Sequence, residues 1–210
     1  MDNIQLKNKI SILDYGISNL GSIKNMLHRI GASVNVVSTP SDILSSEKLI
    51  IPGVGAFDNG MRAIKKLGLV NVILDLADKK IPILGICLGM QLLGNGSEEG
   101  LMEGLGLIPG ISKKFTFQDN SSLKIPHMGW NFISEKCHNP LLINLSNESR
   151  FYFVHSYHFV PQNLLNTLAV TNYGYEFSSI IVSNNIFGTQ FHPEKSHKYG
   201  MTLLKNFSVI

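Results

Sequence analysis

Lys79-Lys-Ile-Pro-Ile-Leu-Gly-Ile-Cys-Leu-Gly-Met-Gln-Leu-Leu-Gly94 is the stretch that decides how the chain reads. Ile81 to Ile86 has the length and apolar composition of a buried strand. It runs into Gly85-Ile86-Cys87-Leu88-Gly89, a G-x-C-x-G form of the nucleophile elbow. In that motif a sharp strand-to-helix turn lifts one side chain above the end of a sheet. Glycine on both sides removes the Cβ atoms that would collide in so tight a turn. A helix opening at Leu88 aims its unpaired amides at Cys87, which favours the attacking thiolate. The plainer alternative is a structural cysteine buried between two unrelated glycines, and the pentapeptide alone does not separate the two.

Upstream of the elbow the pattern alternates strand and helix. Ile10 to Leu13 is a first strand, followed by a helix over 19–30 with Leu20, Ile23, Leu27 and Ile30 at helical spacing and Gly31 as its stop. Ser33 to Val37 is a second strand, and Ser41-Asp42 is expected to cap a short helix. Lys48 to Ile51 is a third strand, ending in Pro52-Gly53-Val54-Gly55, a loop with little side chain to keep other groups away from its backbone. Two helical stretches, 58–67 and 70–79, are split at Gly68. This β-α-β-α-β-α-β-α order requires a mostly parallel sheet covered on both faces.

Downstream of Gly94 short β-rich runs alternate with turns: 113–117, 130–134, 151–160, 165–171, 176–182 and 186–190. They read as later strands, some antiparallel, added to the same α/β domain over 1–210. Ser196 is expected to cap a last helix over 197–207.

Charged residues are 16% of the chain and the net charge is +3, without clustering, which argues against a nucleic-acid surface. Two cysteines fifty residues apart, Cys87 and Cys137, form no disulfide framework, and no ligand spacing suggests a metal. The polar N-terminal stretch lacks the core of a signal peptide, and no run is long enough to span a membrane. The expectation is a cytoplasmic protein with free thiols.

The second chemical signal is Gln190-Phe-His-Pro-Glu194, directly after the last expected strand. A thiol nucleophile needs a base, and the base needs an orienting acid. His192 and Glu194, separated by a proline that fixes the turn, supply both if their loop lies against Cys87. Strand ends of an α/β sheet meet along one edge, so distance in sequence is no obstacle. The Gly53-Val54-Gly55 peptides and the Leu88 amide are then candidate donors to an oxyanion.

With Ile86-Cys-Leu-Gly-Met-Gln91 and Gln190-Phe-His-Pro-Glu194 together, the chain resembles the class I (triad-type) glutamine amidotransferases. Asp14-Tyr-Gly, Pro52-Gly-Val-Gly-Ala-Phe57, Pro126-His-Met-Gly-Trp-Asn131, Phe153-Val-His-Ser-Tyr157 and His192-Pro-Glu-Lys-Ser196 resemble their branch of glutaminase subunits of imidazole glycerol phosphate synthase. The resemblance implies that Cys87 attacks the amide of L-glutamine, with His192 as proton shuttle and Glu194 as its orienting carboxylate. It implies that Gln91, Glu99, His155, Ser156 and Tyr157 contact the substrate, and that neither cofactor nor metal takes part. It also implies a heterodimer with a (β/α)8-barrel synthase that receives the ammonia, met by Asn19, Trp130, Asn131 and Lys195.

One departure concerns the acceptor. The histidine-pathway form reads Asp-Tyr-Gly-x-Gly-Asn, whereas this chain has Asp14-Tyr-Gly-Ile-Ser-Asn19. Gly21-Ser-Ile-Lys-Asn-Met26 and Asn172-Tyr-Gly-Tyr-Glu-Phe177 resemble a paralogue branch that amidates surface-polysaccharide sugars. A stand-alone cysteine hydrolase and a non-catalytic scaffold are the remaining alternatives. The retained Cys87, His192 and Glu194 weigh against the scaffold.

Overall fold

The computed structural model describes residues 9–118 and 122–210, so most of the polar N-terminal stretch lies outside the described residues. An eight-stranded sheet runs through the molecule. Its parallel half comprises β1 (Lys9–Leu13), β2 (Ser33–Val37), β3 (Leu49–Gly53) and β4 (Ile83–Cys87). Four further strands join the sheet from later in the chain, and β13 (Ile186–Thr189) pairs parallel to β4. Then β12 (Tyr175–Ser183), β11 (Thr167–Tyr173) and β8 (Ser134–Glu135) extend the sheet antiparallel, giving the order β2-β1-β3-β4-β13-β12-β11-β8.

Side-chain alternation along the central strands sorts the core onto two faces. Ile10, Ile12, Ile50, Leu84 and Ile86 belong to one buried cluster with Ile23 and Leu27 of α1 (Leu20–Arg29) and Leu203, Leu204 and Phe207 of α6 (His197–Val209). Leu13, Leu49, Ile51 and Ile83 belong to the other, with Met61 and Ile64 of α3 (Phe57–Lys66) and Val72 and Ile73 of α4 (Val70–Asp78). The strand-helix alternation read from the sequence therefore gives the two-faced sheet it calls for.

Several boundaries differ from the expected ones. The elbow strand starts at Ile83, because Pro82 has no N–H to donate and serves only as an acceptor, for Leu49 N–H at 2.9 Å. The short helix α2 (Pro40–Leu44) is capped by Thr39, not Ser41 or Asp42, with proline at its first position. The expected strand 151–160 is two strands, β9 (Arg150–His155) and β10 (Tyr157–Pro161), in different sheets. The chain changes sheets at Ser156, so β9 pairs with β7 (His127–Phe132), and β10 pairs with β6 (Gly110–Lys114). β6 is also bonded to the two-residue β5 (Gly96–Ser97). Ser196 does not cap α6 with its side chain; its hydroxyl donates to His192 C=O at 2.6 Å and accepts from Tyr152 N–H at 3.0 Å. The hydroxyl is thereby spent on holding the His-Pro-Glu turn.

Candidate active site

Neighbouring strand ends bring the separated motifs together. β3, β4 and β13 lie side by side, with Gly53 opposite Cys87 and Thr189 opposite Ile86. Three residues beyond β13, His192 is anchored by its N–H to Tyr152 C=O at 2.9 Å. Cys87 and His192 face one cavity of about 420 Å3.

The elbow itself is strained. Cys87 has φ 55° and ψ −110°, a conformation L-residues rarely adopt, and α5 (Leu88–Leu92) begins immediately after it. Packing on both sides enforces the turn. A Cβ on Gly89 would come within 1.7 Å of Ile51 O, and one on Gly85 within 2.6 Å of Gly89 O. The two glycines are there because backbone passes against backbone.

His192 Nδ1 and Glu194 Oε1 are 2.7 Å apart, with the two side chains 2% and 3% exposed. The neutral or charged ring therefore carries its proton on Nδ1, leaving Nε2 for exchange with the cavity. Nε2 makes no hydrogen bond of ordinary length among the described residues. Burial pulls the His192 pKa down, but Cys87 and Glu194 together outweigh it and raise it to about 10. A buried imidazolium between a carboxylate and a thiolate is the charge arrangement a cysteine nucleophile needs.

Gln91 lies one helical turn beyond Cys87 and is 5% exposed. Its Nε2 donates to Tyr157 C=O and to Gln190 Oε1, both at 3.2 Å. Both amide hydrogens are thus committed, so Gln91 has only its carbonyl oxygen to offer a ligand. Glu99, His155, Ser156 and Tyr157 also line the cavity. One oxygen of Glu99 accepts the Phe57 N–H at 2.8 Å, at the start of α3.

The oxyanion candidates are gathered at the same wall, where Val54, Gly55 and Leu88 face the cavity and Gly53 ends β3. One of them is engaged elsewhere: the Val54 N–H donates to Ile17 C=O at 3.1 Å. In this conformation it is not available to an oxyanion, contrary to the sequence expectation. Gly55 has φ +100°, a value that favours glycine.

The four candidate interface residues divide. Asn19 and Lys195 border a second, small cavity of about 20 Å3, which also touches Gly53, His192 and Glu194. Trp130 stands 44% exposed on β7 between Met128 at 62% and Phe132 at 52%. Asn131 does not join that surface. Its Nδ2 donates to Asn172 C=O at 2.9 Å and lies 3.3 Å from His127 Nε2, while its Oδ1 accepts the Phe132 N–H.

Three contributors were given no role by the sequence reading. Gln190 was legible only as a neighbour of His192, yet its Nε2 lies 3.9 Å from Cys87 Sγ. Tyr15 donates its hydroxyl to Pro52 C=O at 2.6 Å, which pins the start of the Pro-Gly-Val-Gly loop, and burial raises its pKa. His127 meets His155 ring to ring. All three sit inside stretches quoted above, but nothing local assigns them a role, because each acts on a strand remote in the chain.

The family model for class-I glutamine amidotransferase matches residues 11–210. The chain belongs to the class-I glutamine amidotransferase family. A protein of Methanococcus maripaludis called imidazole glycerol phosphate synthase subunit HisH 2 is 49% identical over 199 residues, covering 94% of this chain and 98% of that one. A protein of Pseudomonas aeruginosa with the same name is 48% identical, with the same coverage. Among solved structures, PurLQS from Thermotoga maritima aligns with a TM-score of 0.73 at 20% identity, over 96% of this chain and 98% of that one. That likeness extends to the fold, a mostly parallel sheet with helices on both sides and added antiparallel strands.

Proposed function

We propose that this amidotransferase hydrolyses L-glutamine as the glutaminase subunit of an imidazole glycerol phosphate synthase. The carrying observation is that Cys87 and His192, the latter bonded to Glu194, face one cavity whose walls hold Gln91, Glu99 and the 155–157 turn. The Cys87 thiolate attacks the side-chain carbonyl of glutamine. His192, protonated on Nε2, gives that proton to the departing ammonia and then takes one from the water that opens the γ-glutamyl thioester. Glu194 keeps the ring in register and balances its charge. The tetrahedral oxygen is received by the Leu88 amide and by one peptide of the Gly53–Gly55 segment.

The Val54 bond to Ile17 gives this site a switch. Turning that peptide breaks the bond and adds a donor to the oxyanion. A missing donor costs about 3 kcal/mol of barrier, roughly a hundredfold in rate.

Ammonia is protonated and inert in bulk water, so it must reach its acceptor under cover. The small cavity bordered by Asn19 and Lys195, which shares Val54 and His192 with the glutamine pocket, supports an exit for the ammonia. The apolar ridge Met128, Trp130 and Phe132 supports docking of a (β/α)8-barrel synthase as a heterodimer. The coverage of relatives named for that synthase supports the histidine-pathway acceptor. A second reading, delivery to a surface-polysaccharide sugar, is favoured by Ile17-Ser18 in place of the x-Gly of the histidine form.

The test is Cys87→Ala in the complex with the synthase. Glutamine-dependent synthesis is expected to vanish while synthesis from added ammonium persists. Survival of glutamine-dependent synthesis would overturn the mechanism, and the acceptor that is aminated separates the two readings.

A further inference from the structure

A chain of side-chain hydrogen bonds runs from β7 to the glutamine pocket, and its polarity can be worked out from its two ends. At the pocket end His155 Nδ1 lies 2.8 Å from Tyr157 O. A carbonyl only accepts, so Nδ1 carries the hydrogen and the Nε2 of a neutral His155 is an acceptor. His127 Nδ1 lies 3.0 Å from that Nε2, so it too must carry its hydrogen. His127 Nε2 is then an acceptor, and at 3.3 Å it faces Asn131 Nδ2, which can only donate. The Asn131 amide is held that way round by two other bonds, Nδ2 to Asn172 C=O and Oδ1 from Phe132 N–H. Every bond in the series points the same way.

Both rings are buried, and burial pushes their pKa values down, to about 4 for His127 and about 3 for His155. They are therefore neutral near pH 7, as the series of donors requires. Phe153 and Tyr173 stack on the His127 ring, at 4.8 and 4.0 Å between centroids, and fix its plane.

The receiving end is the Tyr157 carbonyl, which also accepts from Gln91 Nε2 at 3.2 Å. The opposite tautomer of His155 would set a nitrogen lone pair against that oxygen. The 155–157 turn would be pushed out of place, and Gln91 with it. We infer that His127 is a positioning residue of the glutamine pocket: by donating from Nδ1 it imposes the tautomer of His155 that holds the Tyr157 carbonyl and hence Gln91. The inference rests on the glutamine pocket proposed above.

Two amide variants separate this role from simple packing. In His127→Asn the side-chain amide occupies the place of Nδ1 and still donates to His155. In His127→Gln the amide reaches the place of Nε2, beside Asn131, and the donor to His155 is lost. Glutamine hydrolysis by the full chain is measured for both, together with thermal unfolding. The expected result is a glutamine KM raised about tenfold in His127→Gln, the loss of one buried hydrogen bond, and at most about threefold in His127→Asn. Equal KM values in the two variants would overturn the inference, whatever their stability. Ring 15N shifts of the wild-type chain give a second measurement that needs no variant. Hydrogen on Nδ1 of both His127 and His155 is expected, and hydrogen on Nε2 of either would overturn it. If Cys87→Ala kept its glutamine hydrolysis, the pocket itself would be wrong; if only His127→Gln behaved as wild type, the pocket would stand and this inference would fall.

Discussion

Gly89→Ala puts the elbow to its hardest test. The added Cβ would sit 1.7 Å from Ile51 O and 2.8 Å from Ile51 C, both backbone atoms of β3. No rotamer change relieves a clash between a Cβ and a peptide group, so α5 and β3 must part by more than an ångström. β3 is paired to β4 over 49–53 and cannot yield cheaply. The helix is the element that moves, and Cys87 is joined directly to its first residue, Leu88. A nucleophile misplaced by about 1 Å costs on the order of a hundredfold in rate. Overpacking of this kind costs about 1–3 kcal/mol of stability. The assay is kcat/KM for glutamine alongside urea unfolding, with Gly96→Ala as a control, where the nearest atom to the new Cβ is Met102 O at 3.8 Å. A Gly89→Ala protein within about threefold of wild-type kcat/KM and about 0.5 kcal/mol of its stability would refute the claim that backbone contact dictates this glycine.

Glu194→Gln keeps an acceptor near His192 Nδ1 but removes the charge, and a hydrogen bond to a charged group is worth about 1.5–3 kcal/mol, so glutamine kcat should fall roughly tenfold to hundredfold. The His192 pKa is raised from 6.5 to about 10, so the stability the protonated ring contributes is complete below pH 6.5 and is lost as pH climbs through about 10. Melting temperatures between pH 7 and 10 should therefore decline less in Glu194→Gln than in the wild type, and identical slopes would show that Glu194 does not hold the ring. Gly21 lies within α1, its new Cβ would meet nothing closer than Asn19 Oδ1 at 3.9 Å, and Gly21→Ala should stabilise the protein by about 0.5–1 kcal/mol in denaturant unfolding. A loss of stability there would mean that the start of α1 is not a regular helix.

The elbow, the Pro-Gly-Val-Gly loop and the His-Pro-Glu turn were legible because each is a local solution to a local problem. Glycines, prolines and a nucleophile at fixed spacing carry their geometry with them. The strand-helix alternation likewise announced a two-faced parallel sheet, since apolar runs and helical periodicity are properties of short windows. Tertiary structure decided what depends on partners far away in the chain. Ser156 breaks one apolar run into strands of two sheets, because the hydrogen bonds of β9 and β10 belong to different neighbours. The Val54 amide is taken by Ile17, and Asn131 turns inward to His127 and Asn172, because a hydrogen bond is won by whatever group the fold brings within about 3 Å. Sequence named the nucleophile, the base and the acid; only the folded chain determined which amides and rings stand ready around them.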